Sequence, residues 1–130
     1  MKIKRGEAVK ICLKFIEQKL REETWYSKTA RDIKAVLLYG SVAKGTNTEN
    51  SDIDLMVILP LESEKKYTKG EYIYKYEGQE INIVLRSIEK LRSIDFIHDD
   101  FQREIFRGCE FIKESDSEVK NLITISNTML

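Results

Sequence analysis

The sequence predicts one α/β domain, and three observations carry that reading. Apolar residues recur at three- and four-residue steps near the start, short apolar runs bounded by Gly, Asn and Pro fill the middle, and helical spacing returns after residue 87. At 130 residues the chain has the size of one domain, able to bury about two thirds of its unfolded surface.

From Glu7 to Leu20 the residues Val9, Cys12, Leu13, Ile16 and Leu20 mark an amphipathic helix. Trp25 and Tyr26 are expected to pack across its end. Ala35 to Tyr39 is a continuous apolar run ended by Gly40, as for a buried strand, and residues 40–51 read as a loop rich in Gly, Ser, Thr and Asn. A second strand follows, in which Ile53, Leu55, Val57 and Leu59 alternate with Asp52, Asp54, Met56 and Ile58 until Pro60 stops the pattern. Leu61 to Gly70 is charged and reads as a surface connection. Tyr72, Tyr74 and Tyr76 form one side of a third strand, half covered by a helix; Glu77-Gly78-Gln79 turns the chain; and Ile81, Ile83 and Leu85 face one way on a fourth strand with Glu80, Asn82 and Val84 on the other. Ser87 is placed to cap a helix. Helical spacing through Leu91 and Ile94 breaks near His98 and resumes through Phe101, Ile105 and Phe106 to Gly108. Cys109 to Ile112 is a last short strand, and Val119, Leu122, Ile123 and Ile125 suggest a helix in the tail from Ser117 to Leu130.

Composition removes several classes. With 22 basic and 22 acidic residues the charges balance, which argues against a nucleic-acid coat protein; the first 34 residues hold ten Lys and Arg against five Asp and Glu, best read as solvated helix faces. Cys12 and Cys109 are far apart among apolar neighbours and read as buried thiols rather than a disulfide or zinc ligands. No apolar run reaches membrane-spanning length, and a cytoplasmic location is expected.

The chemistry lies in Leu38-Tyr39-Gly40-Ser41-Val42-Ala43-Lys44-Gly45-Thr46, followed by Ser51-Asp52-Ile53-Asp54-Leu55. A strand ending in Gly-Ser lets backbone amides approach an anion, and the Ser41 hydroxyl adds a donor. Asp52 and Asp54, two apart on a strand, project to one face with Cα atoms roughly 6.5–7 Å apart. Such a pair beside a phosphate loop is an incomplete site for a hard cation, which a triphosphate would complete. Without a cation the two charges repel, a cost that a purely structural role does not explain. Each part alone is common; a calcium loop is excluded because Asn47 to Asp54 lacks its central glycine and distal glutamate.

Together, Gly40-Ser41, Gly45 and Ser51-Asp52-Ile53-Asp54 resemble the signature of the polymerase beta type nucleotidyltransferase superfamily, and the short length resembles its minimal members, which resemble antitoxins paired with helical HEPN-type toxins. The resemblance covers about residues 30–114, with 115–130 as a tail of the single domain 1–130. It implies a mixed sheet of about four to five strands flanked by helices. It assigns nucleotide binding to Gly40, Ser41, Lys44 and Gly45, and magnesium to Asp52 and Asp54, with a two-metal site as an option. A third carboxylate on a later strand would complete the catalytic set, and Asn82 takes that place here. An amide oxygen can bind a metal but cannot act as a base; Glu80, on the same strand face, is the alternative, disfavoured by its two-residue displacement. The resemblance thus implies transfer of a nucleoside monophosphate, from ATP, to a hydroxyl on a partner such as a HEPN-type toxin. A binding-only antitoxin weakened at Asn82 is the rival, and oligomerisation stays open. His98 and the tyrosines read as structural rather than as ligands or base-stacking platforms.

Overall fold

The computed structural model describes residues 2–67, 71–96 and 98–128, with side chains through residue 124. Gly70, which closed the expected surface connection, Ile97 beside His98, the Ile125 side chain and the end of the tail lie outside the described residues.

Among the described residues, five strands form one mixed sheet in the order β3-β4-β2-β1-β5. They are β1 (Ala35–Tyr39), β2 (Ile53–Leu59), β3 (Glu71–Tyr76), β4 (Gln79–Ser87) and β5 (Glu110–Glu114). β1 runs antiparallel to both neighbours, β3 and β4 form a hairpin, and β2 and β4 are parallel, with Asp54 beside Asn82. The hairpin turns at Glu77 and Gly78, both at positive φ (49° and 76°), the backbone that a two-residue loop needs to follow strand twist.

Helices cover both faces. On one, α1 (Arg5–Gln18) and α2 (Thr24–Thr29) place Ala8, Cys12, Phe15, Ile16, Trp25 and Tyr26 against Val36, Leu38, Ile53, Leu55, Ile81 and Ile83. On the other, α5 (Ile88–Ser93), α6 (Asp100–Phe106) and α7 (Glu118–Thr128) pack Ile88, Leu91, Phe106, Val119 and Ile123 on Ala35, Leu37, Met56 and Ile58. Burial on both faces is why β2 is apolar almost throughout instead of alternating with solvent. The Ser87 oxygen accepts from the Lys90 amide at 3.0 Å, the cap read from the sequence.

Several sequence expectations need correction. Residues 40–51 are not all loop, because Gly40–Lys44 form a short helix, α3; within the expected surface connection, Leu61–Lys65 form a further short helix, α4. α1 stops at Gln18, so Leu20 is buried from a 3-10 turn. Leu13 is 45% exposed while Phe15 is fully buried. At about 100° per residue, Ala8, Cys12, Phe15 and Ile16 share one side of α1, and Leu13 falls more than a quarter turn away. Phe101 is 71% exposed for the same reason, since α6 is held to the core through Phe106.

The tyrosines of β3 are structural, as expected. Tyr72 stacks on Trp25 with ring centroids 4.6 Å apart, Tyr74 accepts from Trp25 Nε1 at 2.8 Å, and Tyr74 and Tyr76 lean on Phe15. Cys12 is buried, which pushes its thiol up to about 12; Cys109 is half-buried and pushed up to about 11, chiefly by the same desolvation. Among the described residues no helix is long and apolar enough to cross a membrane.

The phase of α1 gives a direct test. Phe15→Ala should cost about 3–5 kcal/mol in urea unfolding, whereas Leu13→Ala should cost less than about 1 kcal/mol.

Candidate active site

Tyr39 ends β1 opposite Asp54 on β2, so the strand pairing itself brings Gly40 to the carboxylate. Gly40 has φ +78°, and a Cβ built there would lie 2.5 Å from Asp54 Oδ2. Glycine is therefore required twice over, by its backbone angle and by the carboxylate against its Cα. The amides of Gly40, Ser41 and Val42 open α3, where first-turn N–H groups have no helical acceptor. Gly45, also at φ +78°, closes α3, its N–H reaching the Ser41 and Val42 carbonyls.

Asp52, Asp54 and Asn82 come together across the parallel β2–β4 pair. Asn82 lies beside Asp54 in register, and its Nδ2 donates to Asp52 Oδ2 at 3.3 Å. Half-burial lifts the Asp54 carboxyl above its ordinary value; a hydrogen bond from Asn82 opposes this, and the charge of Asp52 adds to it. The Asn82 Oδ1 is buried with no hydrogen-bond partner. An orphaned acceptor next to two carboxylates that repel one another is a donor set suited to a hard divalent cation. Asp52, Asp54 and the Asn82 oxygen are the groups that could hold it. Among the described residues, no group of three or more His, Cys, Asp or Glu forms a metal cluster.

Glu80 lines a cavity at the β3–β4 hairpin together with Asp52. Its carboxyl is raised, first by a hydrogen bond with Asp52 and then by that residue's charge, with Lys75 opposing from the neighbouring strand.

Lys44, which the resemblance assigns to nucleotide binding, ends α3. Its Nζ donates to Glu104 Oε1 at 3.0 Å, tying α3 to α6. His98 Nδ1 and Asp95 Oδ2 are 2.6 Å apart in an exposed pair. Sequence reasoning did not single out Arg86, whose half-buried guanidinium is lowered by desolvation, donates to Gln102 Oε1 at 3.0 Å and lies over Phe106. A charged residue at an inward position of a strand was the available signal.

The fold is a mixed sheet flanked by helices, with paired carboxylates beside a Gly-Ser turn. The chain belongs to the nucleotidyltransferase domain family, whose model matches residues 11–117. It is 30% identical over 75 residues, 55% of this chain and 75% of the relative, to a Methanocaldococcus jannaschii protein named, provisionally, a protein adenylyltransferase. A nucleotidyltransferase-like protein from Exiguobacterium sibiricum has the same fold, with a TM-score of 0.54 and 15% identity. That alignment covers 88% of this chain but only 39% of that one, so the chain spans well under half of its structural relative. A toxin-antitoxin structure with AMP-PNP aligns over 86% of each chain at 15% identity, with a TM-score of 0.44.

Two substitutions test this geometry. Gly40→Ala should destabilise the protein by about 1–3 kcal/mol, more than Gly45→Ala, because open space surrounds Gly45 and only its backbone angle objects. Asp54 is raised in the folded state, so its contribution to stability is full below the ordinary carboxylate value and is lost as pH rises through the raised one. Asp54→Asn should therefore raise Tm by about 2–4 °C at pH 7 in the absence of divalent cations, and leave it nearly unchanged at pH 3.

Proposed function

We propose that this domain transfers the nucleoside monophosphate of ATP to a hydroxyl on a partner protein, with magnesium at Asp52 and Asp54. The observation that carries the proposal is the convergence of Asp52, Asp54 and the unpartnered Asn82 Oδ1 beside the Gly40-Ser41 turn. The name of the 30% identical relative supports a protein acceptor. The motif resemblance narrows that acceptor to a HEPN-type toxin, and the cytoplasm is the matching compartment.

In this reading the amides of Gly40, Ser41 and Val42 hold the leaving side of the triphosphate. Magnesium, when bound by the two aspartates and the Asn82 oxygen, supplies charge neutralisation and in-line alignment. The acceptor oxygen forms a bond to the α-phosphorus while the bond to pyrophosphate breaks, and pyrophosphate leaves with the electron pair. The hydroxyl proton passes to a carboxylate. Asn82 cannot take it, and we assign it to Glu80, which lines a cavity with Asp52.

A binding-only antitoxin is the second reading, favoured by one observation: the residue in register with Asp54 on β4 is a neutral amide. Label transfer from α-labelled ATP to protein in a lysate of the source cells, with magnesium, separates the two. The enzyme reading expects a labelled protein band that is lost in Asp52→Asn/Asp54→Asn. It further expects a drop on the order of 10²-fold in Glu80→Gln, and no gain in Asn82→Asp. No label from wild type or from Asn82→Asp would remove the transfer reading and leave the binding one.

A further inference from the structure

Leu13 points away from the core, and the surface around it is concave. A cavity of about 620 Å³ opens between α1, α2 and β5, with Leu13, Ile16, Tyr26 and Ala30 as its apolar lining. A smaller one of about 220 Å³ shares Tyr26, Ala30 and Lys113 with it and runs on to Ala35 at the start of β1. Together they form one groove beside β5, the edge strand of the sheet. Gly40 follows the opposite end of β1, about 17 Å from Ala35 along the strand at 3.3 Å per residue. A segment seated in the groove therefore leaves the carboxylates open.

Charge selects what can lie there. Arg21 and Lys113 border the larger cavity and Arg31 and Lys34 the smaller, against Glu17 and Glu114. Lys34 pairs with Asp116 at 3.6 Å, whereas among the described residues no ion pair holds Arg21, Arg31 or Lys113. Three cations thus stand around an apolar lining with no carboxylate to meet them. A nucleic acid would find those cations but no aromatic face on which to stack a base, because Tyr26 is buried, and Glu17 and Glu114 would repel its phosphates. A lipid surface would reach only the rim of a concave lining. Leu13 and Ile16, three apart on α1, instead offer the ridge against which a second helix packs, and Asp or Glu beside the apolar stripe of that helix would meet the three cations.

We propose that this groove docks an amphipathic helix of a partner protein, one whose apolar stripe is bordered by Asp and Glu. The assignment stands apart from the transfer reading. It uses none of the residues of that site and holds whether the partner is modified or only bound.

Fluorescence anisotropy on the intact protein tests this, with a labelled peptide made of two repeats of Glu-Leu-Leu-Glu-Ala-Leu-Glu and a counterpart carrying Lys in place of each Glu. The Glu peptide should bind about tenfold more tightly than the Lys peptide. Leu13→Asp should weaken the Glu peptide about tenfold while leaving Tm within about 2 °C, since Leu13 is already 45% exposed. Lys113→Glu, on the exposed end of β5, should weaken it similarly, and decides the matter if Leu13→Asp fails to fold. Equal affinities, binding of neither peptide, or an affinity that both variants leave unchanged would overturn the assignment. So would tighter binding of a single-stranded oligonucleotide or of phosphatidylglycerol vesicles that Lys113→Glu abolishes, or a dimer of the protein that Leu13→Asp dissociates. Those results would give the groove to a nucleic acid, a lipid surface or a second copy of this chain.

Discussion

The approach of the Asp54 carboxylate to the Cα of Gly40 is the constraint on which the site depends. It joins the end of β1 to the start of β2 at a distance that no side chain at residue 40 would permit. The same contact sets where α3 begins, because Gly40 adopts the positive φ that turns the chain from strand into helix. An anion held by the first amides of α3 would therefore lie next to the carboxylates whose charge a cation must balance.

The balance of charge follows from this arrangement. Asp52 accepts from Asn82 and shares a cavity lining with Glu80, and Asp54 is lifted by burial and by Asp52. A fold selected for stability alone would not gather three acids around an amide whose oxygen finds no donor. Most of the surrounding structure serves to hold them there. The parallel register of β2 and β4 sets Asp54 beside Asn82, and buried Ile53, Leu55, Ile81 and Ile83 anchor that register from the opposite face.

Much of this was legible in the sequence, because strands with one or two apolar faces announce themselves through the spacing of Val, Ile and Leu. The start of β1, the whole of β2, the hairpin at Gly78 and the Ser87 cap are local signals that tertiary packing did not override. The short helices α3 and α4 were not legible, since five residues give too little periodicity to separate a helix from a loop. The exposure of Leu13 and Phe101 was missed because a partner helix or sheet, not the sequence, decides which part of a broad apolar stripe is covered. At the site, the spacing of Asp52 and Asp54 could be read directly. That Glu80 and Asp52 line one cavity could not, because it depends on the pairing of β2 with β4.

The central claim is that the carboxylates and the Gly40-Ser41 turn form one site that a metal and a triphosphate complete together. Isothermal titration of AMP-PNP into the metal-free protein, and again with excess magnesium, tests it most directly. The account predicts little or no binding without magnesium, because the triphosphate meets Asp52, Asp54 and Glu80 unscreened, and a Kd at least about tenfold lower once magnesium is present. Equal affinity with and without the metal would contradict it.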